Sequence, residues 1–103
     1  MNVTPFSLRL LGSGSKDGGC PALYAADDIN ALIVQGVAAR NGGAVLVPHA
    51  LLDWAEPGSR LTVETTHTPG MVLVAGTPVT TDVKARLTLD SDETAVEVPK
   101  CAL

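Results

Sequence analysis

Two stretches of this chain are written to one plan. Leu32-Ile33-Val34-Gln35-Gly36 reads like Val72-Leu73-Val74-Ala75-Gly76 forty positions on, and Ala44-Val45-Leu46-Val47-Pro48 reads like Ala95-Val96-Glu97-Val98-Pro99 fifty-one on. The match continues past each proline, where His49-Ala50-Leu51-Leu52 parallels Lys100-Cys101-Ala102-Leu103. The two offsets differ by 51 − 40, so the second copy carries eleven more residues in its middle. Repetition at so short a period means units that cannot bury their apolar faces alone and cover one another. The expectation is a mostly β (β-rich α+β) fold, a small barrel- or sandwich-like domain. It forms a single domain over residues 1–103 from two unequal β-rich repeats, about 20–55 and about 60–103, each ending in a short helix.

Composition sets what fills that fold. At 103 residues the chain buries roughly two-thirds of its unfolded surface, enough for one core. Of its residues 46% are apolar but only Phe6, Tyr24 and Trp54 are aromatic, so Val, Leu and Ala form the core and few rings are left to stack on bases or sugars. A net charge of −4 is the wrong sign for holding phosphates, and Arg9, Lys16, Arg40, Arg60, Lys84, Arg86 and Lys100 are scattered rather than clustered, which disfavours direct nucleic-acid binding. The first apolar run, Leu8 to Leu11, is broken by Arg9 and stopped by Gly12-Ser13-Gly14, unlike a signal peptide, and no stretch nears the ~20 apolar residues of a membrane span. A cytoplasmic protein is the expectation; Cys20 and Cys101 could form one disulfide, but two buried or semi-buried thiols are favoured in a reducing cytosol.

Along the chain, a short strand over Phe6 to Leu11 precedes a loop of four glycines and a proline at residues 12–21. Strands follow at Ala22 to Ala26, Ala31 to Val37 and Ala44 to Val47, the first two separated by the turn Asp27-Asp28-Ile29-Asn30. Pro48 suits the first turn of a short helix, with Leu51, Leu52 and Ala55 on its inner face, Asp53 outside and Trp54 at its edge. In the second copy Arg60 to Thr65 alternates as a half-exposed strand, and His67-Thr68-Pro69-Gly70 turns into Met71 to Ala75, matching the first hairpin. The additional segment Val83-Lys84-Ala85-Arg86-Leu87-Thr88-Leu89 alternates apolar and polar and reads as a strand, with a helical turn near Thr81-Asp82 also allowed. An acidic turn, Asp90-Ser91-Asp92-Glu93, leads to the strand Thr94 to Val98, and Pro99 is placed to open a second short helix.

Few residues offer chemistry. His49, His67, Cys20 and Cys101 show no C-x-x-C or H-x-x-x-H spacing, and a zinc site would have to gather them from four separate segments, so no metal is expected. Gly12-x-Gly14 and Lys16 lack the phosphate-loop spacing and a helix behind it, so no nucleotide cofactor is expected. Nucleophilic catalysis needs a thiol or hydroxyl beside a base, and nothing in the sequence brings either histidine to Cys20. Asp27-Asp28 and Asp92-Glu93 sit in turns, where acids are favoured for backbone reasons, and Asp90-x-Asp92 lacks the glycine and distant Glu of a calcium loop. Trp54 suits either core packing or a semi-exposed anchor at a protein interface.

Three motifs carry a family resemblance: Gly19-Cys20-Pro21-Ala22-Leu23-Tyr24-Ala25-Ala26-Asp27, Val34-Gln35-Gly36, and Asp92-Glu93-Thr94-Ala95-Val96-Glu97-Val98-Pro99. They resemble the BldB-like family of small actinobacterial regulators of Streptomyces development, with Val37 standing where relatives often have tryptophan. The resemblance implies a non-enzymatic homodimer, acting in sporulation, that binds and modulates a helix-turn-helix transcriptional regulator of the WhiJ type. The resemblance does not say which residues meet the partner; from the residues themselves the surface is placed at the helix edge of Trp54 and the acidic turns of Asp27, Asp28, Asp90, Asp92 and Glu93. The alternative from another class is a small β-barrel enzyme or ligand-binding protein using Cys20, His49 or His67. A structural subunit of a larger shell is the third.

Overall fold

The computed structural model of the chain describes residues 7–13, 21–54, 63–87, 89 and 91–99. Eight strands form one antiparallel sheet: β1 (Arg9–Ser13), β2 (Ala22–Ala26), β3 (Ala31–Ala39), β4 (Ala44–Pro48), β5 (Val63–Thr65), β6 (Met71–Ala75), β7 (Thr77–Pro78) and β8 (Glu93–Pro99). The mostly β expectation holds, but the sheet is not closed into a barrel. Its path runs β1-β2-β3-β4-β6-β5, and β8 branches from β3 to carry β7.

The repeat is reproduced pair by pair in the register. Within the first copy Leu23 lies opposite Val34 and Ala25 opposite Leu32; forty positions on, Val63 lies opposite Val74 and Thr65 opposite Val72. Val37 pairs with Leu46 and Ala38 with Val45, as Thr77 pairs with Glu97 and Pro78 with Val96 under the offsets of forty and fifty-one. The ladders between copies are reciprocal: Val45 faces Val74 and Val47 faces Val72 in one, while Val96 faces Val34 and Val98 faces Leu32 in the other. Each copy's last strand is thus held by the middle strand of the other copy. This is the arrangement of an isologous dimer, in which residue i meets j and j meets i, written into one chain.

Two glycines let the middle strand of each copy cross closely over that copy's last strand. A Cβ on Gly36 would lie 2.6 Å from the Leu46 carbonyl oxygen and 2.6 Å from Val47 Cγ1; one on Gly76 would lie 2.6 Å from the Glu97 carbonyl oxygen and 2.8 Å from Val98 Cγ1. Leu46 and Val47 become Glu97 and Val98 under the offset of fifty-one, so the same close approach is made twice. At both places only a hydrogen in place of a side chain admits the neighbouring backbone.

The inward side chains of β2, β3, β4, β6 and β8 converge on one aliphatic cluster, centred on Leu23, Leu32, Val34, Val45, Val74 and Val96. Leu51 joins it from a 3-10 helix, His49–Trp54, that follows Pro48 where a short helix is expected. A second cluster forms on the opposite face of the first copy, where Ile33, Ala26 and Ala95 meet Val79 and Val83, with Leu87 at its margin.

The second cluster corrects one sequence expectation. Of the strand expected over Val83 to Leu89, the described residues Val83 to Leu87 form none; instead a short helix, α1 (Thr81–Lys84), continues into turns through Leu87, and Thr88 lies outside the described residues. Thr80 caps it, its hydroxyl accepting from Val83 N at 3.4 Å, and Lys84 N and Ala85 N donate back to the Thr80 and Thr81 carbonyls at 3.0 Å. Val83 and Leu87 satisfy a helical spacing of four as well as an alternation, and the capping threonine decides between them. The strand expected to begin at Phe6 runs Arg9–Ser13 among the described residues, while Phe6, Ala55 and the helix expected after Pro99 lie outside them.

The three outer edges are blunted. β1 carries a register shift at Leu11, β5 is three exposed residues whose Glu64 is ion-paired to Arg40, and β7 is two residues ending in Pro78. Bulges, edge charges and proline are devices that discourage further strand pairing.

Candidate functional site

The acidic turn after β2 is occupied from within. Arg9 Nε and Nη2 donate to Asp27 Oδ2 and Oδ1, each at 3.1 Å, and Ser7 N donates to Asp28 Oδ2 at 2.9 Å. Asn30 then takes a left-handed conformation, φ 52°, to start β3. These carboxylates fasten the chain before and at the start of β1 to the β2–β3 turn. Asp92 and Glu93 lie elsewhere: the Asp92 carbonyl accepts from Ala38 N at 2.9 Å and Glu93 faces Val37. The two acidic pairs therefore sit at opposite ends of the β3–β8 ladder, about 20 Å apart for six extended residues, and do not form one patch. Asp90 lies outside the described residues, as do Cys20 and Cys101.

Trp54 ends the 3-10 helix that follows Pro48, the last residue of β4. Leu51 anchors that helix in the core, and the indole, 59% exposed, lies across Gly12 of β1 with no room for a Cβ beneath it. The ring is therefore a surface feature backed by flat backbone rather than a core residue. Beside it is a groove of about 180 Å³ lined by Ser13, Pro21, Pro48, Ala50, Leu51 and Trp54.

A second concavity, about 350 Å³, lies at the turn between β5 and β6, lined by His49 with Thr65, Thr66, Thr68, Pro69, Gly70, Met71 and Val72. His49 N donates to the Gly70 carbonyl at 2.8 Å, and Thr66 Oγ1 accepts from Thr68 N at 3.1 Å, which shapes the rim. His67 does not line this cleft, so the structure does not bring the two histidines together there. Among the described residues no group of three or more His, Cys, Asp or Glu could hold a metal. No described helix is long and apolar enough to cross a membrane.

The electrostatics are mild. Burial pushes the Tyr24 hydroxyl above its ordinary value, in keeping with a ring that packs beside the second cluster. The exposed fork of Arg40 on Glu64, with Nη1 to Oε2 at 2.8 Å, draws the Glu64 carboxyl below the usual carboxylate range through its hydrogen bonds first.

One surface feature escapes sequence reasoning. Val37, Leu46 and Leu73 stand opposite one another on adjacent strands and share the outer face, Val37 39% exposed and both leucines half-buried. A nearly continuous apolar strand reads as covered on both faces, and these three sit in such strands. Only the missing counterpart of the eleven additional residues hints that one copy's outer face is left bare.

Comparison of the chain with protein-family models, with curated proteins and with solved structures finds no match in any of the three.

Proposed function

We propose that this chain is a non-enzymatic regulatory interaction protein of the cytoplasm, a homodimer that binds and modulates a helix-turn-helix transcriptional regulator of the WhiJ type in actinobacterial development. The observation that carries the interaction reading is Trp54, a large ring held exposed on a short helix and backed by Gly12. A rigid, half-open aromatic is the kind of side chain that dominates interface energetics. The net charge of −4 supports a basic partner over direct contact with nucleic acid, and the resemblance of the three motifs supplies the class of regulator.

Tagged protein is mixed with a helix-turn-helix regulator of the WhiJ type, and the regulator's operator binding is measured with and without the chain. A saturable complex that changes operator affinity is expected, with Trp54→Ala weakening it roughly tenfold or more. No complex, together with a monomer in sedimentation, overturns the reading.

The cleft at His49 favours one second reading, a small-ligand site, since about 350 Å³ falls within the size range of such pockets. A ligand found by thermal-shift screening that still binds His49→Ala with unchanged affinity removes it.

A further inference from the structure

The internal symmetry identifies what is missing from one side of the molecule. On the outer face of the first copy, Tyr24, Ile33, Glu97 and Thr77 lie opposite one another across four strands. Under the offsets of forty and fifty-one the equivalent row is Glu64, Leu73, Leu46 and Val37. Ile33 is 0% exposed, packed in a cluster to which α1 and its flanks bring Val79, Val83 and Leu87, with Leu8 and Tyr24 beside them. Leu73, its counterpart, is half-exposed. The connection that carries α1 joins β7 to β8, whereas the equivalent connection between β3 and β4 is the short turn Arg40–Gly42. One outer face has its cover built in; among the described residues the other has none.

The bare face is the more apolar of the two. Where the covered row has Glu97 and Thr77, the bare row has Leu46 and Val37, so three aliphatic side chains stand side by side on neighbouring strands about 4.8 Å apart. The solvated face of an antiparallel sheet is normally polar, so such a stripe points to an occupant. The stripe ends on Glu93, opposite Val37, and on the Arg40–Glu64 pair beside Leu73.

We propose that the Val37–Leu46–Leu73 stripe is the docking site for a helix of a protein partner, one with aliphatic side chains four residues apart and a net positive charge. The fold supplies the precedent for both properties. The occupant of the equivalent face is α1 with its following turns, which presents Val83 and Leu87 four apart, and from Thr81 to Leu87 it carries Lys84 and Arg86 against the single acid Asp82. The docked helix takes the place on the second copy that α1 takes on the first, against a chain whose own charge is −4. The inference adds a second surface to the interaction reading, on the outer face of the sheet and apart from Trp54, and rests on that reading for the identity of the partner.

The test titrates the isotope-labelled full chain with a synthetic amphipathic helical peptide carrying leucines four residues apart and lysines elsewhere, and with its counterpart in which glutamates replace the lysines. Backbone amide shifts are expected to saturate with the lysine peptide alone and to centre on Val37, Leu46 and Leu73. Leu73→Glu is expected to weaken that binding roughly tenfold. Val37→Lys, on a more exposed position, serves as a second variant, with thermal melts of both confirming a folded chain. Shifts centred on Trp54 and Gly12, or equal binding of both peptides, overturn the proposal, as does a dimer in sedimentation that Leu73→Glu dissociates, since the stripe is then covered by a second copy. A helix-turn-helix regulator that binds wild type and both variants alike also sinks the stripe while leaving the regulatory reading standing. Peptide binding at the stripe without any such regulator complex does the reverse.

Discussion

The two copies share a register yet treat the same positions differently. Ile33 and Leu73 occupy equivalent places on equivalent strands, but one is sealed under α1 and the other meets water. Likewise β2 is flanked by β1, while β5, its counterpart, is an exposed edge that ends the sheet. Duplication therefore makes the frame, and additions to one copy make the asymmetry. A symmetric frame supplies strands and core, and the outer surfaces are left unequal.

Replacing Ile33 and Leu73 by Ala tests the inequality most severely. Ile33→Ala leaves a cavity between two layers and is expected to cost about 3–4 kcal/mol, whereas Leu73→Ala removes a half-solvated side chain and costs about 1 kcal/mol. Urea denaturation measures both; similar losses would mean that the outer face of the second copy is as well covered as the first.

The glycines probe the frame instead of its coverings. Gly36→Ala and Gly76→Ala each drive a methyl into a carbonyl oxygen 2.6 Å away, and each is expected to cost about 2–3 kcal/mol. The equality is the point of the comparison. A loss at one site and tolerance at the other, in the same denaturation assay, would show that the shared register does not carry shared energetics.

A gentler asymmetry lies in the hairpin turns. Asn30 and Gly70 are equivalent under the offset of forty and both have positive φ, 52° and 78°. Asn tolerates the left-handed region, so Asn30→Gly should change stability by a few tenths of a kcal/mol, while Gly70→Ala should lose about 1 kcal/mol. Thermal melts of the two variants resolve the difference.

The smallest effect belongs to Arg40–Glu64, which ties the β3–β4 turn to β5. Its carboxyl is held below its unfolded value, so the pair's contribution is present above the unfolded pKa and fades as pH falls through the folded one. Being exposed, it is weak and screened by salt. Glu64→Gln should lower Tm barely measurably at neutral pH and low salt, and not at all in acid or high salt; a large drop that persists at high salt would mean that the pair has a structural role beyond its charge.

Much of this frame is legible without coordinates. The offsets of forty and fifty-one align β3 with β6 and β4 with β8 and set Gly36 against Gly76, and Pro48 marks the start of the helix that presents Trp54. The segment from Val83 misleads because Val83, Ala85, Leu87 and Leu89 fit an alternation while Val83 and Leu87 also fit a helix; the Thr80 cap and the packing of Val83 and Leu87 with Ile33 together select the second. Of the residues expected to meet a partner, Trp54 is exposed, and Glu93 lies opposite Val37 at the end of the outer stripe. Asp27 is engaged by Arg9 eighteen positions away, a contact that no local pattern announces.

What the amino-acid order determined by itself is the unit: which residues alternate, where the chain turns, and that it does so twice. Those are properties of neighbours, set by side-chain spacing and backbone preference within a few residues. What only the tertiary structure decided is which copy each strand pairs with and which faces are covered. The exchange of β4 onto β6 and β8 onto β3, the placing of α1 over Ile33 and the exposure of Leu73 all arise from contacts between segments far apart in sequence. An apolar strand carries the same residues whether its outer face is sealed or bare, so coverage is decided where distant segments meet.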